Sequence, residues 1–205
     1  MSLDIVEGWV RWAGAAALAV FLGTAFVGLW RGMRRPRRRM TGLAGKVMQP
    51  LGYLVIGIAY FGTWFVLWRP LPLSLSAPAR IVALALGALL YFPGLALYLW
   101  AWRTLGQMYN VSTSFGAQLY TEHRLVTDGP FAFVRHPMYI GVLAAALGGL
   151  LIYRTWTALF VIATFLSLFR RAHHEERALA AEFGEQWEEY CRQVPGWIPC
   201  ILRRH

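Results

Sequence analysis

Several stretches of the chain offer no charged position long enough to interrupt a membrane crossing. Residues 13–30, 51–68 (LGYLVIGIAYFGTWFVLW) and 81–102 (IVALALGALLYFPGLALYLWAW) are uncharged, and each approaches the ~20 residues that carry a helix across a hydrocarbon core. Two shorter runs, 137–153 and 155–169, are divided by Arg154 alone. They predict a helical hairpin sharing one deep insertion, because a single long helix would strand Arg154 at mid-membrane. The pattern then changes. In 170–198, Leu179, Phe183, Trp187 and Tyr190 recur at helical spacing and define one apolar face. Arg171 and Glu175, four residues apart, extend that stripe toward the membrane. Gly184 interrupts the helix and Pro195 ends it. The expected fold is an all-α integral membrane protein with about five transmembrane helices, the last two a hairpin, followed by a cytoplasmic C-terminal amphipathic helix. Two parts follow: three N-terminal transmembrane helices in 1–102, and a C-terminal half, 103–205, that gathers the polar groups.

Composition agrees with the pattern. The 205 residues are 58% hydrophobic and 15% charged, with mean hydropathy +0.45, whereas soluble domains carry about a quarter charged residues. Asp4 and Glu7 precede the first run where a cleavable signal would be basic, and no small-x-small site follows it. Net charge is +10, which raises nucleic acid as a partner, but its distribution argues otherwise. Basic residues concentrate in WRGMRRPRRRM with Lys46, in the 103–136 loop and in the tail, and these segments fall on one side of a five-span chain. The positive-inside rule accounts for that skew, so membrane lipids are the expected partners and no nucleic acid is. Cys191 and Cys200 are too few for a disulfide framework and match no metal spacing.

Chemistry gathers around FVRHPMYIG (133–141). Proline disfavours helix in the residue before it, so His136 is expected to be extended, and Pro137 suits the first helical position. The first-turn N–H groups then face the loop and suit an anion such as a carboxylate. Gly141, Ala145 and Gly149, at four-residue steps, form a face for close helix contact. Arg135 and Tyr139 read equally well as anchors at the lipid interface, and the residues alone leave both readings open. His173-His174 invites a metal, but adjacent helical side chains diverge, and no metal is expected.

The wider string decides between them. HRLVTDGPFAFVRHPMYIG is followed, thirty-three residues on, by HEERALAAEFGEQWEEYCRQVPGWIP. Together with TLGQMYNVSTSF (104–115), this resembles the isoprenylcysteine carboxyl methyltransferase family and its prokaryotic relatives. The resemblance covers roughly the last hundred residues and implies an integral-membrane methyltransferase using S-adenosylmethionine. It implies cofactor contacts at His123, Arg124, Leu125, Val126, Phe131, His136, Pro137, Met138, Tyr139 and Glu175. The family's substrate-contacting arginine falls on Arg171, the expected catalytic residue. Phe131 stands where a tyrosine is frequent. The residue chemistry is compatible: helix N-terminal amides suit the cofactor's carboxylate, Glu175 a cation, and the aromatic faces of Tyr139 and Phe131 a sulfonium or adenine. No G-x-G occurs in the chain, so a Rossmann-type site is not supported.

A carboxylate acceptor, ionised at neutral pH, needs no general base; an amine or thiol would, with His136 or Glu176 as candidates. The resemblance therefore implies a lipophilic, isoprenylcysteine-like carboxylate acceptor, with phospholipid amine or thiol methylation as the alternative. A sterol-reductase-like, NADPH-dependent membrane oxidoreductase shares R-H-P-x-Y-x-G, with Arg124 and Arg135 available to a 2′-phosphate. A non-catalytic membrane scaffold is the remaining rival. The abundance of Arg and Ala and the short N-terminal half point to a prokaryotic cytoplasmic membrane, with the active site on the cytoplasmic face.

Overall fold

A computed structural model describes residues 2–33, 50–109, 124–165 and 167–198. His123, the basic residues of 34–39 with Lys46, and the end of the chain with Cys200 lie outside the described residues. Among the described residues seven α-helices follow in order: α1 Leu3–Met33, α2 Pro50–Val66, α3 Ala77–Leu105, α4 Pro137–Tyr153, α5 Trp156–Phe165, α6 Ser167–Phe183 and α7 Glu185–Gln193. Short 3-10 turns occupy Gly106–Met108 and Gly129–Ala132. Two helical stretches, Leu3–Gly28 and Ala77–Met108, are long and apolar enough to cross a membrane, and Leu54–Val66 and Pro137–Tyr153 are shorter apolar helices. Large apolar side chains face outward on α1 and α2, among them Trp12 and Phe65, as lipid-facing surfaces require and water-facing ones rarely tolerate.

The centre of the molecule is the antiparallel seam of α3 and α4, which glycine makes possible. A Cβ on Gly94 would stand 2.6 Å from the carbonyl oxygen of Gly141, and one on Gly148 would stand 2.5 Å from the amide nitrogen of Tyr91. The two backbones touch, which is how helices associate where no hydrophobic effect drives them together. Gly148, rather than the expected Gly149, makes the backbone contact; Gly149 faces the ring of Tyr91 at 3.4 Å. The reason is helical pitch, since positions 141, 145 and 148 share one stripe more closely than equal steps of four do. Leu84, Tyr91, Leu95, Ala145 and Ile152 bury alongside this seam, with Val6, Val10, Ala17 and Phe21 of α1 packed on them.

Arg154 sits in the turn between α4 and α5, in the left-handed region at φ 53°. The backbone of 67–71 closes that turn: Leu71 N–H donates to the Arg154 carbonyl, and Trp156 and Thr157 donate to those of Arg69 and Leu67. The Arg154 guanidinium reaches Glu7 Oε1 at 3.0 Å, and Arg80 reaches Glu7 Oε2 at 2.9 Å. Glu7, only 5% exposed, thereby ties α1, α3 and the hairpin turn at the end farthest from His136. The tail packs at the other end. Gly184, at φ +50°, separates α6 from α7 in a conformation that costs glycine least. Trp187, Tyr190 and Val194 bury with Leu125, Leu179 and Phe183.

Candidate functional site

The helix ends opposite Glu7 surround a cavity of about 590 Å³, within the range of ligand pockets. Arg124, Leu125, Val126, Phe131, His136, Pro137, Met138, Tyr139, Arg171 and Glu175 all line it. Apart from His123, which lies outside the described residues, the side chains expected from the sequence are brought to one place. They arrive from three directions. Residues 124–131 run in as a loop, pinned by the Tyr190 hydroxyl donating to the Phe131 carbonyl at 2.7 Å. Residues 136–139 open α4. Arg171 and Glu175 come from one face of α6.

Pro137 is the first residue of α4. His136 has φ −120° but ψ 52°, short of the fully extended form expected before proline. The tail explains the difference: Arg135 N–H donates to the Pro195 carbonyl at 2.9 Å and His136 N–H to that of Gly196 at 3.1 Å, so the backbone bends to meet both. The rings of His136, Tyr139 and Trp197 form a cluster, with His136–Tyr139 stacked at 5.5 Å and His136–Trp197 at 5.2 Å. The Tyr139 hydroxyl donates to Glu175 Oε2 at 2.8 Å, and the Arg171 guanidinium carbon lies 6.0 Å from the Tyr139 ring centre. An arginine, a carboxylate and a phenol thus converge on one wall.

Glu176 has a different place from its neighbour. Its Oε1 is 3.0 Å from His136 Nε2 and 3.0 Å from an Arg135 terminal nitrogen. The His136 hydrogen bond and the Arg135 guanidinium hold its carboxyl below the usual carboxylate range. A carboxylate so engaged is a poor proton acceptor, which weakens the Glu176 base considered from the sequence. His173 and His174 are both exposed, and among the described residues no group of three His, Cys, Asp or Glu is placed to hold a metal.

Sequence reasoning did not find the rest of the wall. Phe21, Leu22, Ala25 and Phe26 of α1, Phe61 of α2 and Phe165 of α5 close the cavity's apolar end, and Tyr98, Met108 and Tyr109 stand between. Nothing in a lipid-facing helix distinguishes a phenylalanine that lines a cavity from one that faces acyl chains. Trp197 had a signal, the VPGWIP string, but no role to attach to it.

Residues 85–181 match the isoprenylcysteine carboxyl methyltransferase (ICMT) family. The match covers just under half of the chain, and over those residues the chain is similar to that family. The matched segment opens inside α3 and closes inside α6, so it contains the α3–α4 seam, the loop 124–131, Arg171 and Glu175, while α1, α2 and Trp197 lie outside it. Curated relatives agree. The protein-S-isoprenylcysteine O-methyltransferase of Schizosaccharomyces pombe is 39% identical over 82 residues, which are 39% of this chain and 35% of that protein. Protein-S-isoprenylcysteine O-methyltransferase B of Arabidopsis thaliana is 32% identical over 81 residues, 38% of this chain and 41% of that protein. The Homo sapiens enzyme of the same name is 31% identical over 100 residues, 46% of this chain and 35% of its own length. The chain therefore spans well under half of the length of these relatives. Similarity to a methyltransferase family implies a methyl donor.

Proposed function

We propose that this chain is an S-adenosylmethionine-dependent methyltransferase that esterifies the carboxylate of a lipophilic, isoprenylcysteine-like acceptor. One observation carries the reading: a single cavity joins a charged end at Arg171, Glu175 and Tyr139 to an apolar end built from α1, α2 and α5. A charged donor and a greasy acceptor require such a two-ended space.

The residues present fit the donor. The start of α4, at Pro137, Met138 and Tyr139, lines the cavity, and the first-turn N–H groups of a helix suit the donor's carboxylate. Glu175 offers charge to a cation, and Tyr139 and Phe131 offer aromatic faces. S-adenosylmethionine, when bound, supplies an electrophilic methyl group. Its proposed holders are His123, Arg124, Leu125, Val126, Phe131, His136, Pro137, Met138, Tyr139 and Glu175. The protein's own task is alignment in a space shielded from water. Arg171 orients the acceptor carboxylate, whose ordinary pKa near 4 leaves it ionised without a base. The hydrocarbon chain lies along the apolar wall, entering from the lipid between α1 and α2. Residues 103–205 form the catalytic half, and the skew of basic residues puts the site on the cytoplasmic face.

The engagement of Glu176 and His136 with one another favours a carboxylate over an amine or thiol, which would need a free proton acceptor. It also disfavours NADPH, because Arg135 already faces Glu176 and a 2′-phosphate calls for an available cation. The test is calorimetric titration of the detergent-purified protein with S-adenosylmethionine and with NADPH. The expected result is binding of the first alone, abolished in Glu175→Ala. Binding of NADPH, of neither compound, or undiminished affinity in the variant overturns the reading.

A further inference from the structure

Tyr109 stands where the two ends of the cavity meet. Its ring lies so close to α1 that a Cβ on Gly28 would fall inside its van der Waals envelope, with Trp102 Nε1 3.3 Å from the same point. Gly23 of the same helix has nothing within 4 Å, so the close approach to Tyr109 is not shared by that neighbouring glycine. The Tyr109 hydroxyl is 3.4 Å from that of Tyr98, and the Tyr98 ring packs on Phe21 of α1 at 4.4 Å. On its other side the phenol feels the charges of Arg171 and Glu175. A stiff aromatic ring, with two rotatable bonds, is therefore wedged between a glycine notch and the charged wall. Tyr109 lines the same cavity as Phe21 of α1 and Arg171, so an acceptor lying along that wall meets its ring.

We propose that Tyr109, seated on Gly28, is the specificity-determining residue that limits the acceptor beside its carboxylate to one hydrocarbon chain. The site then takes single-chain thioether carboxylates and refuses acceptors whose two chains diverge next to the reacting group. The inference rests on the methyltransferase reading and deepens it. The notch leaves the ring no room to retreat toward α1, and the same residue lines the cavity. Widening the passage means dislodging a packed ring, whereas overpacking a pocket by a few methylenes is worth roughly 10- to 200-fold in discrimination.

The experiment uses the full chain in detergent with S-adenosylmethionine and two acceptors that share an N-acylated cysteine head. One carries a single C15 prenyl thioether; the other carries a thioether branched at its first carbon into two long chains. The expected wild-type preference for the single chain is about 30-fold or more in kcat/KM, the scale of a close-fitting apolar pocket. Tyr109→Ala and Tyr109→Leu reduce that preference at least tenfold by gaining on the branched acceptor. Tyr109→Phe, which keeps the ring, retains it. Gly28→Ala pushes the ring into the passage and lowers kcat/KM for both acceptors, whereas Gly23→Ala matches wild type. Cofactor affinity, measured on each variant, shows that the fold is intact. A preference that survives in both Tyr109→Ala and Tyr109→Leu, or equal wild-type use of the two acceptors, overturns the inference alone. A wild-type protein that binds the donor and methylates neither acceptor overturns it together with the carboxylate reading.

Discussion

Removing the Glu176 carboxylate isolates the polar contact that fastens the tail to the start of α4. One oxygen, Oε1, serves both His136 and Arg135 at 3.0 Å. The Arg135 side chain is 17% exposed and that of Glu176 25%. Arg135 has little else: a terminal nitrogen 3.5 Å from the Cys191 carbonyl, the Trp187 ring at 5.8 Å, and a buried Nε without a hydrogen-bond partner. Truncating one member of a fully buried pair costs about 3–5 kcal/mol. With a quarter of the carboxylate in water, the expected loss is about 2 kcal/mol for Glu176→Ala and about 1 for Glu176→Gln, which keeps an acceptor oxygen. For a chain of this length 2 kcal/mol corresponds to roughly 4–8 °C in Tm, readable by tryptophan fluorescence because Trp187 and Trp197 flank the contact. The pH dependence has a definite sign. A carboxyl held low in the folded protein stabilises fully above its unfolded value, 4.5, and loses that contribution as pH falls through the lower folded value. The carboxylate's own contribution is therefore fully present at pH 7, and the gap between wild type and Glu176→Gln closes as pH falls below 4.5. A gap below about 0.3 kcal/mol at pH 7, the noise level of independent substitutions, or one that does not close on acidification through that range, refutes the reasoning.

Two further outcomes are expected. Arg171→Ala keeps donor affinity within about threefold while turnover falls at least 100-fold, the scale of losing an aligning contact; lost affinity with normal turnover at saturating donor would show the roles exchanged. Gly148→Val places a Cβ 2.5 Å from the Tyr91 amide nitrogen and 2.6 Å from the Gly87 carbonyl oxygen, backbone atoms that cannot give way. Forced separation of α3 and α4 is expected to cost about 3 kcal/mol, at the top of the overpacking range. Size-exclusion profile and Tm report it, with Gly57→Val, which meets nothing within 4 Å, as the comparison; equal behaviour of the two would refute the seam.

Helices and punctuation were the legible part of the sequence. Pro137 opens α4, Gly184 and Pro195 bound the last helix, and Arg154 marks the hairpin turn because each acts through local backbone chemistry. The residues converging on the cavity were legible through motif order, since RHPMY and the Arg171–Glu175 pair are separated by a length of chain that a hairpin brings back upon itself. What was hidden depends on partners. Gly87 and Gly94 on α3 are unremarkable until the glycines of α4 lie against them. Glu175 and Glu176 are adjacent in sequence, yet a turn of 100° per residue sends one to Tyr139 and the other to Arg135 and His136. The count of spans is the coarsest result: two helices reach crossing length, α4 has 17 residues and α5 has 10. By rise per residue those are about 25 and 15 Å against a ~30 Å core, so the hairpin's second arm is continued by α6 rather than being a full span in itself.

The distribution of arginine gains a physical explanation from this geometry. Charge counting leaves Arg11, Arg69, Arg80 and Arg154 on the side away from the basic segments, where cations are disfavoured. They are not scattered through a headgroup layer. Arg80 and Arg154 donate to Glu7, Arg11 stands 3.8 Å from it, and the backbone of Arg69 closes the turn that presents Arg154. A buried carboxylate needs several donors to be tolerated, and a cation at a membrane end needs an anion. Glu7 meets both needs at once while joining three helices. The buried carboxylate at one end is thereby fully engaged by arginines, while Arg171 and Glu175 at the other end line a cavity. An end whose carboxylate joins three helices is suited to holding them together; an end whose arginine and glutamate line a cavity is suited to holding a ligand.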